Sequence, residues 1–188
     1  MIIRLFFIVS FALILSACTE KPREAAAPQQ SAPAPVPKPT PPPWKPAYNG
    51  GTPTDVVKNV IVRYNELLAF GYEHLDMNSL QEVTNERQAE KAYFHMAAIG
   101  EGGVRMLSRL KRIDFTEVTF PSPGKADVKT REVWDFAYHD IKSGARKEEE
   151  KDFVYLMTYT LEGGGGRWLI TETAAAGEEK KAQKGGVR

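Results

Sequence analysis

The chain has 188 residues, of which 42% are apolar, and this suits one modest globular domain with appended segments rather than several domains. Its 25 basic and 24 acidic side chains leave a net charge of +1, which supplies no field for holding a nucleic acid, so no nucleic-acid partner is expected. The single cysteine, Cys18, excludes an internal disulfide framework, a cysteine-based zinc cluster and an iron–sulfur site, and no cofactor is predicted.

Residues 1–17 are predicted to be an export signal. Arg4 supplies a positive charge, and the apolar run that follows is shorter than the ~20 residues needed to span a bilayer. The run ends in Leu15-Ser16-Ala17-Cys18, which resembles the lipobox of bacterial lipoprotein signal peptides. This resemblance implies cleavage before Cys18, lipid on its thiol and an acylated amino group, and several acyl chains give stable anchoring. The alternative is an ordinary cleaved signal followed by an unmodified cysteine.

Thr19 occupies the position at which an aspartate would, by the same resemblance, favour retention at the inner membrane. We therefore expect a lipid-anchored protein of the cell envelope. Its expected place is the outer membrane of a double-membraned bacterium, with the remaining chain facing the periplasm and with the membrane as its first partner.

Residues 18–51 are predicted to be a disordered, proline-rich tether that begins at the lipidated cysteine. Ten of the 13 prolines lie between Pro22 and Pro46, and almost no aliphatic side chains accompany them. Alternating prolines favour an extended polyproline conformation, which at about 3.1 Å per residue could span up to roughly 100 Å. The tether is either a passive spacer or a means of reaching a partner. Trp44 and Tyr48 are predicted to dock where the folded domain begins.

Helices are predicted first in the folded domain. Thr52-Pro53-Thr54-Asp55 has the residues of a helix start, and apolar residues at helical spacing continue to about Gly71. Ser79-Leu80-Gln81-Glu82 matches a capping box, and a longer helix is predicted over 85–110. The predicted apolar stripe of that longer helix consists of Ala89, Tyr93, Met96, Gly100, Val104 and Leu107.

After Lys111 the apolar period changes from helical to two, which predicts strands joined by short turns. The predicted strands cover 113–120, 126–141, 152–161 and 167–173. The fold class is therefore α+β, with two or three N-terminal helices packed on a curved four-stranded antiparallel meander. The predicted domain covers 52–175, and 176–188 is predicted to be a disordered charged tail.

Several short patterns between residues 54 and 174 resemble the cone-shaped nuclear transport factor 2-like superfamily. Within it, they resemble the ARC-type domain of chloroplast division, which is found in many bacterial and plastid membrane-tethered proteins. The patterns are Val62-Arg63-Tyr64, Asp127-Val128, the strand with Tyr155 and Tyr159, and Gly166-Arg167-Trp168. The resemblance implies a cone-like shape. It does not select a function, because this superfamily includes enzymes, binding modules and scaffolds.

The second strand contains the principal candidate residue. Alternation puts Val128, Thr130, Glu132, Trp134, Phe136 and Tyr138 on the inward face. Glu132 would then be a carboxylate among aromatic rings, which suits general acid–base chemistry. The alternative is an ordinary buried glutamate that is hydrogen-bonded or paired with a base from a helix.

A ligand pocket is predicted around Glu132. Aromatic and thioether side chains suit an apolar ligand such as a lipid or a peptide segment, although plain core packing is the alternative. The other predicted lining residues are Tyr93, Met96, Trp134, Phe136, Tyr155, Tyr159 and Trp168. The spacing of His74, His95 and His139 predicts no metal site, and no catalytic set is complete.

Three functions remain open from the sequence. The preferred one is a non-catalytic lipoprotein whose domain binds a protein partner or an apolar ligand. The second is a small-substrate isomerase or hydrolase with Glu132 as its base. The third is an accessory factor in envelope assembly or secretion, in which the domain surface is the interaction site.

Overall fold

The computed structural model describes residues 37–164 and 167–178. The predicted signal peptide, Cys18, residues 19–36 of the tether and residues 179–188 of the tail lie outside the described residues. The chain divides into two units, residues 1–37 and residues 38–188, and every described residue except Pro37 belongs to the second.

The α+β prediction is confirmed: two α-helices pack on a four-stranded antiparallel sheet with strand order β1-β2-β3-β4. The helices precede the strands in the chain, and a short 3-10 helix at Asn78–Glu82 connects α1 to α2. The elements are α1 at Pro53–His74, α2 at Glu86–Glu101, β1 at Val104–Ser122, β2 at Lys125–Asp140, β3 at Arg146–Gly164 and β4 at Arg167–Glu178. None of the helices in the described residues has the length and apolar content needed to cross a membrane.

Helix α1 begins as predicted and ends one turn later than predicted. Thr52 caps it by accepting a hydrogen bond from the Asp55 backbone N–H at 3.1 Å. Gly71 does not end the helix; an added Cβ there would lie 2.4 Å from the Met77 sulfur, so this glycine permits close packing. The helix stops at His74, and Leu75 follows in the left-handed conformation at φ 55°.

The prediction of one helix over 85–110 is wrong in its second half. Asn85 does cap a helix, accepting from the Gln88 backbone N–H at 2.9 Å, but α2 ends at Glu101. Gly103 follows with φ 73°, a value that suits glycine, and it redirects the chain into the sheet. Residues 104–110 belong to β1 and pair with 134–140 of β2, because pairing with a neighbouring strand overrides their moderate helix propensity.

The strands are longer than predicted, chiefly at the charged end of the sheet. β3 begins at Arg146 rather than near Asp152, so the exposed run Lys147-Glu148-Glu149-Glu150-Lys151 is strand rather than the edge of a turn. Asp152 has φ 55° and marks a bulge, because Trp134 pairs with Phe153 whereas Phe136 pairs with Glu150. β4 also runs further than predicted, to Glu178, which pairs with Tyr155 and lies beyond the predicted domain end at 175.

The apolar core lies between the helices and one end of the sheet. α1 contributes one buried stripe, and β2, β3 and β4 contribute their inward residues. The most deeply buried apolar residues are Val57, Ile61, Leu80, Ala126, Val128, Leu161 and Ile170. Along β2, burial of inward residues is complete from Ala126 to Trp134 and becomes partial from Phe136 onward.

The last part of the predicted tether contacts the folded domain along α1. Tyr48 donates its N–H to Asn59 and accepts from the Asn59 amide, each at 2.8 Å. The carbonyl of Pro42 accepts from Arg63 at 2.8 Å. Trp44, by contrast, is largely exposed. We call residues 38–48 the N-terminal arm; it is part of the domain unit rather than free chain.

Candidate functional site

A cavity of about 430 Å³ lies between the two α-helices and the inward face of the sheet. α1 and α2 supply one wall and all four strands supply the other. Its lining is rich in aromatic side chains, which is typical of sites for apolar ligands. The aromatic lining residues are Tyr64, Tyr72, Trp134, Phe136, Tyr138, Phe153, Tyr155 and Tyr159.

The aromatic rings of the strands form one cluster around Phe136. The Trp134 ring stacks nearly parallel to it, with centroids 5.9 Å apart. Phe153 and Tyr155 meet it edge to face at 6.0 and 6.1 Å. Such contacts hold each ring in place, so the wall of the cavity is formed before any ligand enters.

Glu132 lies in the cavity wall with only 2% of its surface exposed. Its Oε1 accepts hydrogen bonds from the Tyr159 hydroxyl at 2.6 Å, the Thr130 hydroxyl at 2.8 Å and the Asn65 amide at 3.3 Å. Its Oε2 accepts from the Trp134 indole N–H at 2.9 Å. Four donors from two strands and a helix thus stabilise a carboxylate that has been removed from water.

Two buried tyrosines next to this carboxylate remain neutral hydroxyls. Burial raises the pKa of Tyr159 well above its usual value, and the charge of Glu132 raises it further. Burial also raises the pKa of Tyr64, whose ring meets that of Tyr159 edge to face at 6.0 Å. Neither residue can therefore serve as a phenolate base at neutral pH.

Gln88, on α2, continues the polar wall. Its amide nitrogen donates to the Thr173 hydroxyl at 2.8 Å and to the Tyr64 hydroxyl at 3.4 Å. Its Oε1 is buried and has no hydrogen-bond partner within residues 37–164 and 167–178. A buried acceptor without a donor is costly, so this oxygen is a position where a ligand donor would be stabilising.

Charged residues surround the outer part of the cavity. Lys91 and His95 come from α2, and His95 is hydrogen-bonded to the Tyr72 hydroxyl. Glu150 comes from β3, opposite Phe136. Glu148 is two residues away, opposite Tyr138, and therefore projects from the same face.

The structure brings five of the eight predicted pocket residues together at this cavity. They are Glu132, Trp134, Phe136, Tyr155 and Tyr159, all on β2 or β3. Their common position follows from strand alternation combined with the pairing of Glu132 with Tyr155 and of Val128 with Tyr159.

The other three predicted residues lie elsewhere. Tyr93 is 52% exposed beside Phe94, because the buried stripe of α2 runs through Gln88, Ala92 and Met96 instead. Met96 is part of the packed core rather than the cavity lining. Trp168 covers Gly163 and meets Phe120 edge to face at 6.1 Å, away from the cavity.

Sequence reasoning missed the part of the lining that the helices supply. Tyr64, Leu68 and Tyr72 recur every four residues on α1 and so share a face. Helical spacing alone assigns Tyr64 and Leu68 to an ordinary apolar stripe. Gln88 was missed as well, although a glutamine within the buried stripe of a helix is a recognisable signal.

No cluster of metal-ligating side chains occurs among the described residues. His74 and His139 each hydrogen-bond a nearby backbone carbonyl, those of Phe70 and Gly144 respectively. The histidines therefore have local contacts that do not involve the cavity, with the exception of His95.

No family model matches the chain, and no curated protein matches it either. Among solved structures, it is similar to the intermembrane space region of the chloroplast protein ARC6, with 16% identity and a TM-score of 0.54. This similarity covers 63% of the present chain and 92% of the other. A SEC-C motif containing protein from Rhodopseudomonas palustris, at 12% identity over 67% of this chain and 80% of that one, has a TM-score of 0.36, too low to carry an argument. The likeness to the ARC6 region shows the fold alone.

Proposed function

We propose that the folded domain is a non-catalytic binding module that takes an apolar ligand, or an apolar segment of a partner, into the aromatic cavity. The observation that carries this proposal is the cavity itself: about 430 Å³ lined by eight aromatic side chains. That volume falls within the roughly 300–1,000 Å³ of sites that enclose small molecules. Binding there would bury apolar ligand surface against rings that are already in position.

The hydrogen bonds of Glu132 are those of a carboxylate held in place by the fold, which favours binding over catalysis. Three donors reach its Oε1 and one reaches its Oε2, so one acceptor position, on Oε2, is left. An isomerase or hydrolase that used Glu132 as a base would have to take the proton at that one position. The enzyme alternative draws only on the position of Glu132 in the cavity wall; an unchanged activity in a Glu132→Gln variant would exclude it.

We further propose that the chain is a lipoprotein anchored through Cys18 in the cell envelope, at the outer membrane and facing the periplasm. The lipobox-like sequence before Cys18 supports this location. We also assign the domain to the cone-shaped nuclear transport factor 2-like superfamily, a proposal supported by helices that precede a four-strand meander and cover one face of it.

Filling the cavity tests the binding proposal. Ala92 lines the cavity and is buried, so Ala92→Phe should occupy the space that a ligand needs. Ala98, on the exposed face of the same helix, provides the matched control Ala98→Phe. The protein to use is the chain from residue 18 onward with Cys18→Ser, called here the unlipidated chain, because it requires no detergent.

The measurement is fluorescence of the neutral apolar probe N-phenyl-1-naphthylamine. Unlipidated chain and its Ala98→Phe variant should bind the probe, and Ala92→Phe should lose at least tenfold in affinity, which corresponds to about 1.4 kcal/mol. Circular dichroism checks that both variants fold. Folded Ala92→Phe protein that binds the probe as before would refute binding in this cavity.

The anchor has a separate test. In the producing bacterium, labelled fatty acid should be incorporated into the wild-type chain, whereas Cys18→Ala should incorporate none and accumulate as uncleaved precursor. Label in the Cys18→Ala variant would refute lipidation at this residue.

A further inference from the structure

We propose that the cavity selects organic cations: its ligand carries an ammonium group on an apolar body. This inference rests on the proposed function, because it names the chemical class of the ligand for the same cavity. It follows from where the negative charges and hydrogen-bond acceptors lie relative to the aromatic rings.

The inner wall presents acceptors and a negative charge. Glu132 is almost fully buried, and its four partners are uncharged donors; it forms no salt bridge within the described residues. A buried carboxylate without a cationic partner makes the nearby space favourable for a positive charge. Gln88 adds a buried oxygen that still lacks a donor.

The outer part of the cavity adds two further carboxylates. Glu148 and Glu150 pair with Tyr138 and Phe136 of β2 and share their face of the sheet. Burial raises the pKa of Tyr138, and the charges of Glu148 and Glu150 raise it further, consistent with their closeness to the cavity. Neither glutamate forms an ion pair with any residue that the structure describes.

Glu149, between these two glutamates in sequence, differs from both. It projects from the opposite face of the strand and pairs with Arg146 at 2.9 Å and with Lys151 at 3.4 Å. The basic residues near this strand therefore neutralise Glu149, and Lys147 pairs with Asp140 at 3.0 Å. Glu148 and Glu150, whose carboxylates lie on the cavity face, form no such ion pair with the described residues.

Aromatic rings between these carboxylates suit the same ligand. The faces of Trp, Tyr and Phe attract cations, and aromatic cages are a known means of holding quaternary ammonium groups. Glu132 pairs with Tyr155 and Glu150 pairs with Phe136, and the paired rings of Trp134 and Phe153 lie between these two levels of the sheet. The positive charge of Lys91, on α2, opposes this preference, so removing the Lys91 charge should strengthen the binding of a cation.

Three probes of equal chain length separate charge from apolar contact: octyltrimethylammonium, octan-1-ol and octane-1-sulfonate, each titrated calorimetrically below its micellar concentration. The unlipidated chain should bind the ammonium probe on the order of tenfold more tightly than octanol, and the sulfonate least tightly. Raising the salt concentration should reduce the difference between the two ionic probes.

Matched variants locate the charge effect. Glu148→Gln combined with Glu150→Gln should weaken ammonium binding roughly three- to tenfold and should weaken octanol binding by a clearly smaller factor. Glu149→Gln, on the other face, should change neither. Lys91→Gln should strengthen ammonium binding by a few-fold. All four positions are exposed, so the three variants are expected to fold.

The outcomes distinguish this inference from the function on which it rests. Octanol and sulfonate binding as tightly as the ammonium probe would refute selection for cations while supporting an apolar binding cavity. An equal loss from Glu149→Gln and from the double variant would also refute it, because the effect would then be a general surface charge. Binding of none of the probes would refute the proposed function as well.

Discussion

The two halves of β2 share one alternating pattern and have different environments. From Ala126 to Trp134 each inward side chain is buried, whereas Phe136 and Tyr138 are only half-buried. We call these the closed half and the open half. The closed half runs from the core at Ala126 and Val128 to the inner end of the cavity at Glu132 and Trp134, whereas the open half forms the outer part of the cavity wall.

The elements that pack beside and over β2 explain why its two halves differ in burial. In the closed half, β4 pairs with β3 and α1 packs over the sheet. β4 reaches only to the level of Tyr155, and the bulge at Asp152 lies just beyond, where the open half begins. Inward alternation thus makes a core only where another element packs over the strand; where that packing ends, the same alternation leaves aromatic side chains along an open cavity wall.

The largest effect on stability should come from the closed half. Leu161 on β3 pairs with Ala126 of the closed half and is fully buried in the core, so Leu161→Ala should reduce the free energy of unfolding by about 2–5 kcal/mol. The corresponding truncation in the open half, Phe136→Ala, should cost less, about 1–2 kcal/mol, since this side chain is only partly buried. Urea unfolding of the unlipidated chain measures both. Equal losses of unfolding free energy in the two variants would contradict the difference in packing between the closed half and the open half.

The border between the halves should respond to the loss of one hydroxyl. Tyr159→Phe keeps the ring but removes the shortest hydrogen bond to Glu132, at 2.6 Å, and should cost about 1.5–3 kcal/mol. Tyr138→Phe, in the open half, should change stability by less than about 0.5 kcal/mol. Both are measured by the same unfolding experiment. A neutral Tyr159→Phe variant would mean that the other three donors already satisfy Glu132.

The smallest effect should be a pH-dependent one at the bulge. Asp135 accepts a hydrogen bond from the Asp152 backbone N–H at 3.0 Å, and this bond, followed by that from Arg109, lowers the pKa of Asp135 to about 2. Because the folded-state pKa is depressed, the stabilisation is complete above the ordinary value of 3.8 and is lost as the pH falls towards 2.

Asp135→Asn should therefore lower the urea midpoint at pH 5, and the difference from the parent chain should narrow as the pH falls to 2. A difference that stays constant between pH 5 and pH 2 would contradict a role for the carboxylate charge in holding the bulge.

The sequence predicted the closed half better than the open half. Alternation along β2 and the cap at Thr52 are local signals, and both point to elements that the structure contains. The residues after Gly103 carry no such signal, because they become strand only through pairing with 134–140. The same holds for Glu148 and Glu150, whose position at the cavity depends on register and on a bulge that no local pattern reveals.

Candidate site residues on α2 were misplaced for a related reason. A stripe drawn through Tyr93 and Val104 assumes that the helix continues past Gly103, and that assumption rotates the apparent buried face. The true stripe includes Gln88, a polar residue that a search for apolar periodicity passes over.

The contacts of the N-terminal arm have a mechanical consequence. Tension applied from the N-terminal side would be borne first by the arm, at Asn59, Arg63 and the ion pair of Lys38 with Asp76. These hydrogen bonds and the ion pair, together with the edge-to-face contact of Tyr48 with Phe115, are few compared with the hydrogen bonds that join the strands, so they should break before the sheet does. Release of these contacts would let the N-terminal arm extend by up to about 3.3–3.6 Å for each of its residues. The segment before α1 could therefore lengthen under tension while the cavity between the helices and the sheet stays intact.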